Sequence, residues 1–297
     1  MTEKENLMYK VIASISESDT PLVFKGGLIT KLILSENNFD KIERMTKDID
    51  ASWTGKPPEM QYMVKRINSC LKDINGDYKA VAVREYGENR SAGISIIESS
   101  TGNEIASMDI DVKPSLGEKK YFIGEASIKG VLVDEILMDK ISALSGRMPF
   151  RRTKDMVDIY ALTHCVEVKT SNIFMAFENA GRVCGDFIPF VTRTEDMKHS
   201  YEKLNIVRGK PSFDEISDYL GKFLKPFLQN DFRTDKTWNS RTEEWTDSLE
   251  ITRKANNNLR MGIKDWKAEI SRERLNVKEK PDSGNMTKQK TNLRNER

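Results

Sequence analysis

The spacing of apolar residues changes character near residue 130, and that change limits the folds open to the chain. Before it, residues 46–53 alternate polar and apolar side chains, and 78–86, 92–98, 104–112 and 121–128 are further strand-type runs. The joints at 87–89 and 99–103 carry hairpin-turn residues. After it, 131–144, 153–168, 171–179, 194–204 and 213–228 follow the helical period, and a further helix is expected at 241–273. Shorter helices are expected at 7–16, at 28–34 directly after Gly26-Gly27, and from Pro57-Pro58 to about 74, with a brief strand at 22–24. Strands followed by helices predict an α+β fold, with a mixed or antiparallel twisted sheet in one lobe and helices in the next. The expected boundaries are 1–150 for the sheet-bearing lobe, 151–272 for the helical lobe and 273–297 for a basic, disordered tail. A cleft between such lobes is the default place for chemistry.

Charge and cysteine usage exclude several classes. The net charge of the 297 residues is only +2, which does not announce a nucleic-acid binder. It is unevenly placed: residues 271–297 hold eight Lys or Arg against four acids, so the tail is +4 and the rest −2. A segment this poor in apolar residues reads first as a solvated end, and second as a phosphate-seeking arm. Cys70, Cys165 and Cys184 are widely separated, and with only His164 and His199 no zinc-site spacing exists. No apolar run approaches the roughly 18 residues of a membrane span, and the N-terminus is too polar for a signal peptide. A soluble cytoplasmic protein without a membrane partner is the expectation. No P-loop, G-x-G-x-x-G or Ser-His-Asp order is present.

Four features carry chemistry. Asp48 and Asp50, two apart on a strand, leave the same face, while Ile49 and Ala51 go to the other. Such a pair is either a solvated strand face or a hard-oxygen site for Mg²⁺ or Mn²⁺, since Mg²⁺ is typically held by one or two carboxylates plus substrate phosphates. Asp109 and Asp111 repeat the pattern, and adjacency of the two strands would cluster all four. Gly26-Gly27 between strand and helix is either a tight turn or a close approach of backbone N–H groups to phosphate. Lys140 falls inside the apolar arc of Val133, Ile136, Leu137, Ile141 and Leu144, where an ammonium needs a partner or a cavity. A triphosphate is one such partner. Asp155 heads the core-facing stripe Ile159, Leu162 and Val166, whereas Asp158 falls towards its edge and reads as a helix-dipole acid. Arg147, Arg151 and Arg152 just before them form either a surface loop or a phosphate contact. His164, on a helix amid apolar residues, reads as structural.

Taken in order, Phe24-Lys-Gly-Gly-Leu-Ile-Thr-Lys-Leu, Thr46-Lys-Asp-Ile-Asp-Ala, Ile136-Leu-Met-Asp-Lys-Ile-Ser-Ala-Leu and Arg152-Thr-Lys-Asp-Met-Val-Asp-Ile-Tyr-Ala-Leu resemble the AbiEii nucleotidyltransferase toxins, including the MenT-type enzymes. The four blocks cover about residues 22–165, and their joint order is more specific than any one of them. The resemblance implies a two-lobed fold with a nucleotidyltransferase lobe at 1–150. It implies a nucleotide site at Gly26, Gly27, Thr46, Lys140 and Arg152. Asp48 and Asp50 would hold the metal, with Asp111 as a further ligand, and Lys140 and Asp155 would complete the catalytic set. It also implies an NTP substrate, an RNA 3′ end such as tRNA as acceptor, and a separately encoded antitoxin. A small-molecule or protein acceptor, and a non-catalytic nucleotide-binding module, are the alternatives. One departure stands out: related enzymes often carry Gly-Ser at the first block, and this chain has Gly26-Gly27.

Overall fold

The computed structural model describes residues 2–249, apart from 73, 75, 76, 86, 88–90, 113, 114 and 230–233. The first element, α1 (Glu3–Glu17), opens with a capping box. Thr2 Oγ1 accepts from the Glu5 N–H, and the Glu5 carboxylate accepts from the Thr2 N–H, both at 3.2 Å. Its stripe Met8, Val11, Ile12 and Ile15 is fully buried, as the i, i+3, i+4, i+7 spacing demands. Next come β1 (Leu22–Lys25), α2 (Gly26–Glu36), β2 (Glu43–Arg44), β3 (Asp48–Trp53), α3 (Met60–Leu71), β4 (Tyr78–Arg84), β5 (Ala92–Glu98) and β6 (Glu104–Asp111). The sheet-forming part closes with β7 (Glu118–Ile123) and β8 (Ala126–Val131).

Seven strands form one sheet in the order β4-β5-β6-β3-β1-β8-β7. The β3–β6 and β1–β8 pairs are parallel and the other four antiparallel, so the sheet is mixed. Its centre matters most for chemistry. Asp50 pairs with Lys25 on one side and Asp109 on the other, and Ser52 pairs with Asp111. Paired residues project to the same face, so the acidic side chains of β3 and β6 share one face while Ile49, Ala51 and Ile110 bury on the opposite one.

The helical part follows: α4 (Val133–Leu144), a 3₁₀ turn at Pro149–Arg151, α5 (Thr153–Cys165), α6 (Thr170–Asn179), α7 (Ile188–Thr192), α8 (Thr194–Glu202), β9 (Ile206–Arg208), α9 (Phe213–Phe223) and α10 (Lys225–Leu228). A hairpin of β10 (Lys236–Asn239) and β11 (Glu244–Asp247) ends the unit Met1–Asp247. The second unit, Ser248–Arg297, lies almost wholly outside the described residues, as do the expected tail at 273–297 and most of the helix expected at 241–273.

Four expectations change. The single strand expected at 121–128 is a hairpin, turned at Gly124 with φ +58°; alternation runs straight through such a turn and cannot reveal it. The helix expected over 213–228 is two, with Pro226 in the first turn of the second. Residues 241–247 form a turn and a strand rather than the start of a helix. There Trp238 pairs with Trp245, and both rings pack on Phe223 at 5.3 Å between centroids. Finally, β2 and β9 form a two-stranded ribbon that no period announced, with Glu43 opposite Arg208 and Arg44 opposite Ile206.

Candidate active site

The turn from β1 into α2 explains the double glycine. Gly26 sits at φ +67°, a left-handed conformation that costs an L side chain about 1–2 kcal/mol. A Cβ there would also fall on the Asp50 carboxylate, whose Cγ is 2.8 Å from that position. At Gly27 a Cβ would lie 2.7 Å from Thr46 Oγ1 and 3.0 Å from Arg44 Nη2. Thr46 therefore fills the space where a serine at 27 would begin. Its backbone N–H donates to Glu5 Oε1 at 3.4 Å. Its buried hydroxyl and Arg66 Nε are the two buried side-chain polar atoms without a hydrogen-bond partner among the described residues.

A cleft of about 330 Å³ opens beside this turn. It is lined by Gly26, Gly27, Asp50, Asp111, Lys140, Arg152 and Asp155 of the expected set, so β1, α2, β3, β6, α4 and α5 converge on one space. Thr46 and Asp48 are not in its lining. Asp48 is exposed on the same strand face as Asp50, and Ser107 Oγ donates to its Oδ1 at 2.7 Å. Asp109 is drawn aside by Arg84. Arg147 and Arg151 do not line the cleft either. A larger cavity of about 500 Å³ adjoins across Gly27 and Arg44, its wall mixing apolar side chains such as Leu34, Phe39 and Val157 with charged ones such as Glu5, Asp158 and Arg208. Of the expected site residues, only Gly27 borders the larger cavity, and the others that reach a cavity line the smaller one.

Lys140 is 6% exposed, Asp155 7% and Asp158 3%. The Lys140 ammonium donates to Asp158 Oδ2 at 2.5 Å and to Asp155 Oδ1 at 3.1 Å. Asp158 in turn receives both Nε and Nη2 of Arg44, at 2.5 and 2.6 Å, the two-pronged geometry that suits guanidinium and carboxylate. Burial alone would push the Asp158 carboxyl up, but the Lys140 and Arg44 charges outweigh it and hold it well below the usual range. Burial likewise pulls on Lys140, and Asp158 and Asp155 more than restore its affinity for the proton. Two cations and two carboxylates thus form a neutral, buried block that fixes the ammonium at the cleft wall. Asp158, read from the sequence as an edge residue, is its hub. The helical wheel placed it correctly beside the apolar stripe, but could not show that Arg44, 114 residues away, meets it there.

Asp50 is different. Burial pushes its carboxyl up, and Lys154, Lys25 and Lys140 offset that only through space, without a side-chain hydrogen bond. It is a half-buried carboxylate in want of a cation. Lys25, Arg44, Asp139, Lys154 and Arg182 also line the cleft, and sequence reasoning singled out none of them. Lys25 and Arg44 sit on strands whose alternation gave no warning, and Lys154 and Asp139 neighbour the motif residues that drew attention. Arg182 pairs with Asp139, and its Nη2 donates to Ser142 Oγ at 2.5 Å. Among the described residues six cations, Lys25, Arg44, Lys140, Arg152, Lys154 and Arg182, line the cleft with four carboxylates, Asp50, Asp111, Asp139 and Asp155. The excess of positive charge suits a polyanionic ligand.

Comparison with known proteins agrees with the residue-level resemblance. The profile described as nucleotidyl transferase AbiEii toxin, type IV toxin–antitoxin system, matches residues 7–250. No curated protein matches the chain. Among solved structures, JHP933 from Helicobacter pylori is 13% identical, with 77% of this chain and 94% of that one covered and a TM-score of 0.45. MenT4, a nucleotidyltransferase toxin from Mycobacterium tuberculosis H37Rv, is also 13% identical, with 77% and 82% covered and a TM-score of 0.43. Overlaps of that size leave the assignment to the profile, which takes in every segment lining the cleft from Lys25 to Arg182. On that match the chain belongs to the AbiEii nucleotidyl transferase toxin family of type IV toxin–antitoxin systems.

Proposed function

We propose that this protein is a metal-dependent nucleotidyltransferase. It moves a nucleoside monophosphate from an NTP to an acceptor hydroxyl at an RNA 3′ end, tRNA being the leading case. It acts in the cytoplasm and inhibits growth unless a separately encoded antitoxin neutralises it. The observation that carries this reading is convergence: Gly26, Gly27, Asp50, Lys140, Arg152 and Asp155, spread over about 130 positions of the chain, line one cation-rich cleft.

A divalent cation fits the donor set. Asp48 and Asp50 leave one strand face two residues apart, and the Asp50 carboxylate has no hydrogen-bonded cation to balance it. These two side chains would hold Mg²⁺ or Mn²⁺. When bound, such an ion supplies the positive charge that eases deprotonation of the acceptor hydroxyl and polarises the α-phosphate.

The protein's own groups do the rest. Arg152 and Lys154, exposed at the start of α5, meet the β- and γ-phosphates. Thr46, its hydroxyl buried against Gly27 and outside the cleft lining, supports the glycine turn whose backbone faces the phosphates. As the acceptor hydroxyl attacks the α-phosphorus and pyrophosphate leaves, the fixed Lys140 ammonium stabilises the growing charge. Asp155 and Asp158 orient that ammonium. Because the donors are already in place, no reorganisation is needed at the moment of reaction.

The test is incubation of the purified chain with total RNA, Mg²⁺ and each labelled NTP in turn, beside the Lys140→Ala variant. The native chain should label RNA with one or two of the four nucleotides, and the variant should label it at least about 100-fold more slowly. Equal labelling by both, or labelling of neither RNA nor protein by the native chain, would end the proposal.

A further inference from the structure

Arg147 and Arg151 stand outside the cleft, and the segment that carries them decides where they point. Residues 147–154 read Arg-Met-Pro-Phe-Arg-Arg-Thr-Lys and hold no acid. Pro149 opens the 3₁₀ turn and is buried, and Phe150 packs partly buried against the core. Thr153 and Asp155 are buried at the start of α5. With those side chains turned inward, Arg147, Arg151, Arg152 and Lys154 are all exposed.

The fold does not balance these charges. Among the described residues none of the four makes a side-chain hydrogen bond or an ion pair. Arg151, Arg152 and Lys154 also crowd the start of α5, the positive end of that helix, where cations are disfavoured. Arg147, just beyond the C-cap Ser145 of α4, is the one a helix dipole favours. A fifth cation adjoins them: Arg193 lies over the Phe150 ring at 4.2 Å and is paired with Asp196 in the first turn of α8. Arg152 and Lys154 line the cleft, whereas Arg147 and Arg151 do not. The unbalanced charge therefore runs out of the cleft and over the surface beside it.

We propose that Arg147 and Arg151 hold the sugar–phosphate backbone of a polynucleotide acceptor, upstream of the end that enters the cleft. The inference rests on the transferase reading and adds to it the surface that takes the acceptor. Cations strung along a segment suit a ligand whose charge repeats, and an acceptor of nucleotide size would end inside the cleft and leave both arginines unused. A guanidinium fork matches a phosphate. Contacts of this kind set the register of the strand without reading its sequence.

The test reads binding as well as turnover. A fluorescent single-stranded RNA of about 12 nucleotides, within the span of common single-strand sites, is titrated with the full chain over a range of KCl by anisotropy. Each phosphate contact to a single strand adds about 0.7 to the slope of log K against log salt. Arg147→Gln with Arg151→Gln should therefore lower that slope by about 1.4 and weaken binding at least about tenfold near 0.05 M KCl. Arg147→Gln alone, which keeps the test decisive should the double variant not fold, should lower the slope by about 0.7. In both variants KM for NTP should change less than about twofold, since neither side chain lines the cleft. The melting temperature should hold, because neither has a partner to lose. A slope unchanged within about 0.3, or binding weakened less than about threefold in the double variant, would overturn the inference. So would transfer of α-label to a non-nucleic-acid acceptor by a native chain that does not bind the RNA, and the transferase reading would then stand. Transfer to no acceptor at all would instead remove the transferase reading, and this acceptor surface with it.

Discussion

Replacing Asp158 by Asn removes one negative charge and almost no volume, so its effect isolates the charge. Arg44 and Lys140, 12% and 7% exposed, would lose their shared carboxylate, leaving only Asp155 at 3.1 Å from the ammonium. Removing one partner of a buried ion pair costs about 3–5 kcal/mol, because the charges left behind stay desolvated. At roughly 2–4 °C per kcal/mol for a domain of this size, the melting temperature at pH 7 should fall by roughly 6–20 °C. A second arm isolates the cause. In Arg44→Met with Asp158→Leu, Lys140 keeps Asp155 and the stranded guanidinium is gone, so at least half of the loss should return. The pH dependence has a fixed sign. The folded pKa of Asp158 lies below the unfolded value of about 3.9. Its contribution is therefore complete above that unfolded value and is lost as pH falls through the folded one. The gap in stability between native chain and Asp158→Asn should be constant from about pH 8 to 5 and narrow in stronger acid. Differential scanning calorimetry across that range is the assay. A shift under about 2 °C at pH 7, or a double variant that loses the sum of both single losses, would refute the buried four-charge block.

Other consequences are as direct. Asp50→Asn should lower turnover by at least about 100-fold, more than the 10–100-fold typical of groups behind metal ligands. The same variant should raise the melting temperature at pH 7, since the raised carboxyl of Asp50 is a charge the fold holds at a cost that grows as pH climbs through its folded pKa. A fall in melting temperature would contradict that account. Gly26→Ala adds left-handed strain of about 1–2 kcal/mol and overpacking against Asp50 of about 1–3 kcal/mol, and should weaken both denaturant resistance and NTP binding. An unchanged denaturation midpoint would speak against the described turn. Thr46→Val keeps the shape and removes an unpartnered buried hydroxyl, so stability should hold or rise by about 1 kcal/mol in denaturant titration. A loss of more than about 1 kcal/mol would show that the hydroxyl is partnered after all.

How far the sequence could be read depended on whether a feature was local. The period of apolar residues located α1, α4, α5 and α9 and most of the large sheet, because burial of one face leaves its mark on every third or second residue. It could not find the ribbon of β2 with β9, whose partners lie far apart in the chain, nor two local hairpins, at Gly124 and between Trp238 and Trp245, which apolar spacing alone does not divide into paired strands. The site shows the same division. Lys140 stood out because an ammonium on an apolar arc demands a partner, and the structure supplies two. Arg44 and Lys25 carried no such anomaly, since a charged residue on a short strand is unremarkable until its neighbours are known. Asp158 was undervalued for the same reason: its position beside a helix start offered a sufficient local explanation, while its real partners come from β2 and α4. The glycine pair was read as room for phosphate. In the structure it first makes room for Asp50 and Thr46.

The central claim is that the cleft carries out transfer of a nucleoside monophosphate with loss of pyrophosphate. Parallel reactions with α-labelled and γ-labelled NTP test it most directly, using whichever acceptor the native chain modifies. The account predicts that α-label enters the acceptor, that γ-label appears only in pyrophosphate, and that both signals vanish together in Asp50→Asn. Entry of γ-label into the acceptor, or α-label transfer that survives in Asp50→Asn, would contradict it.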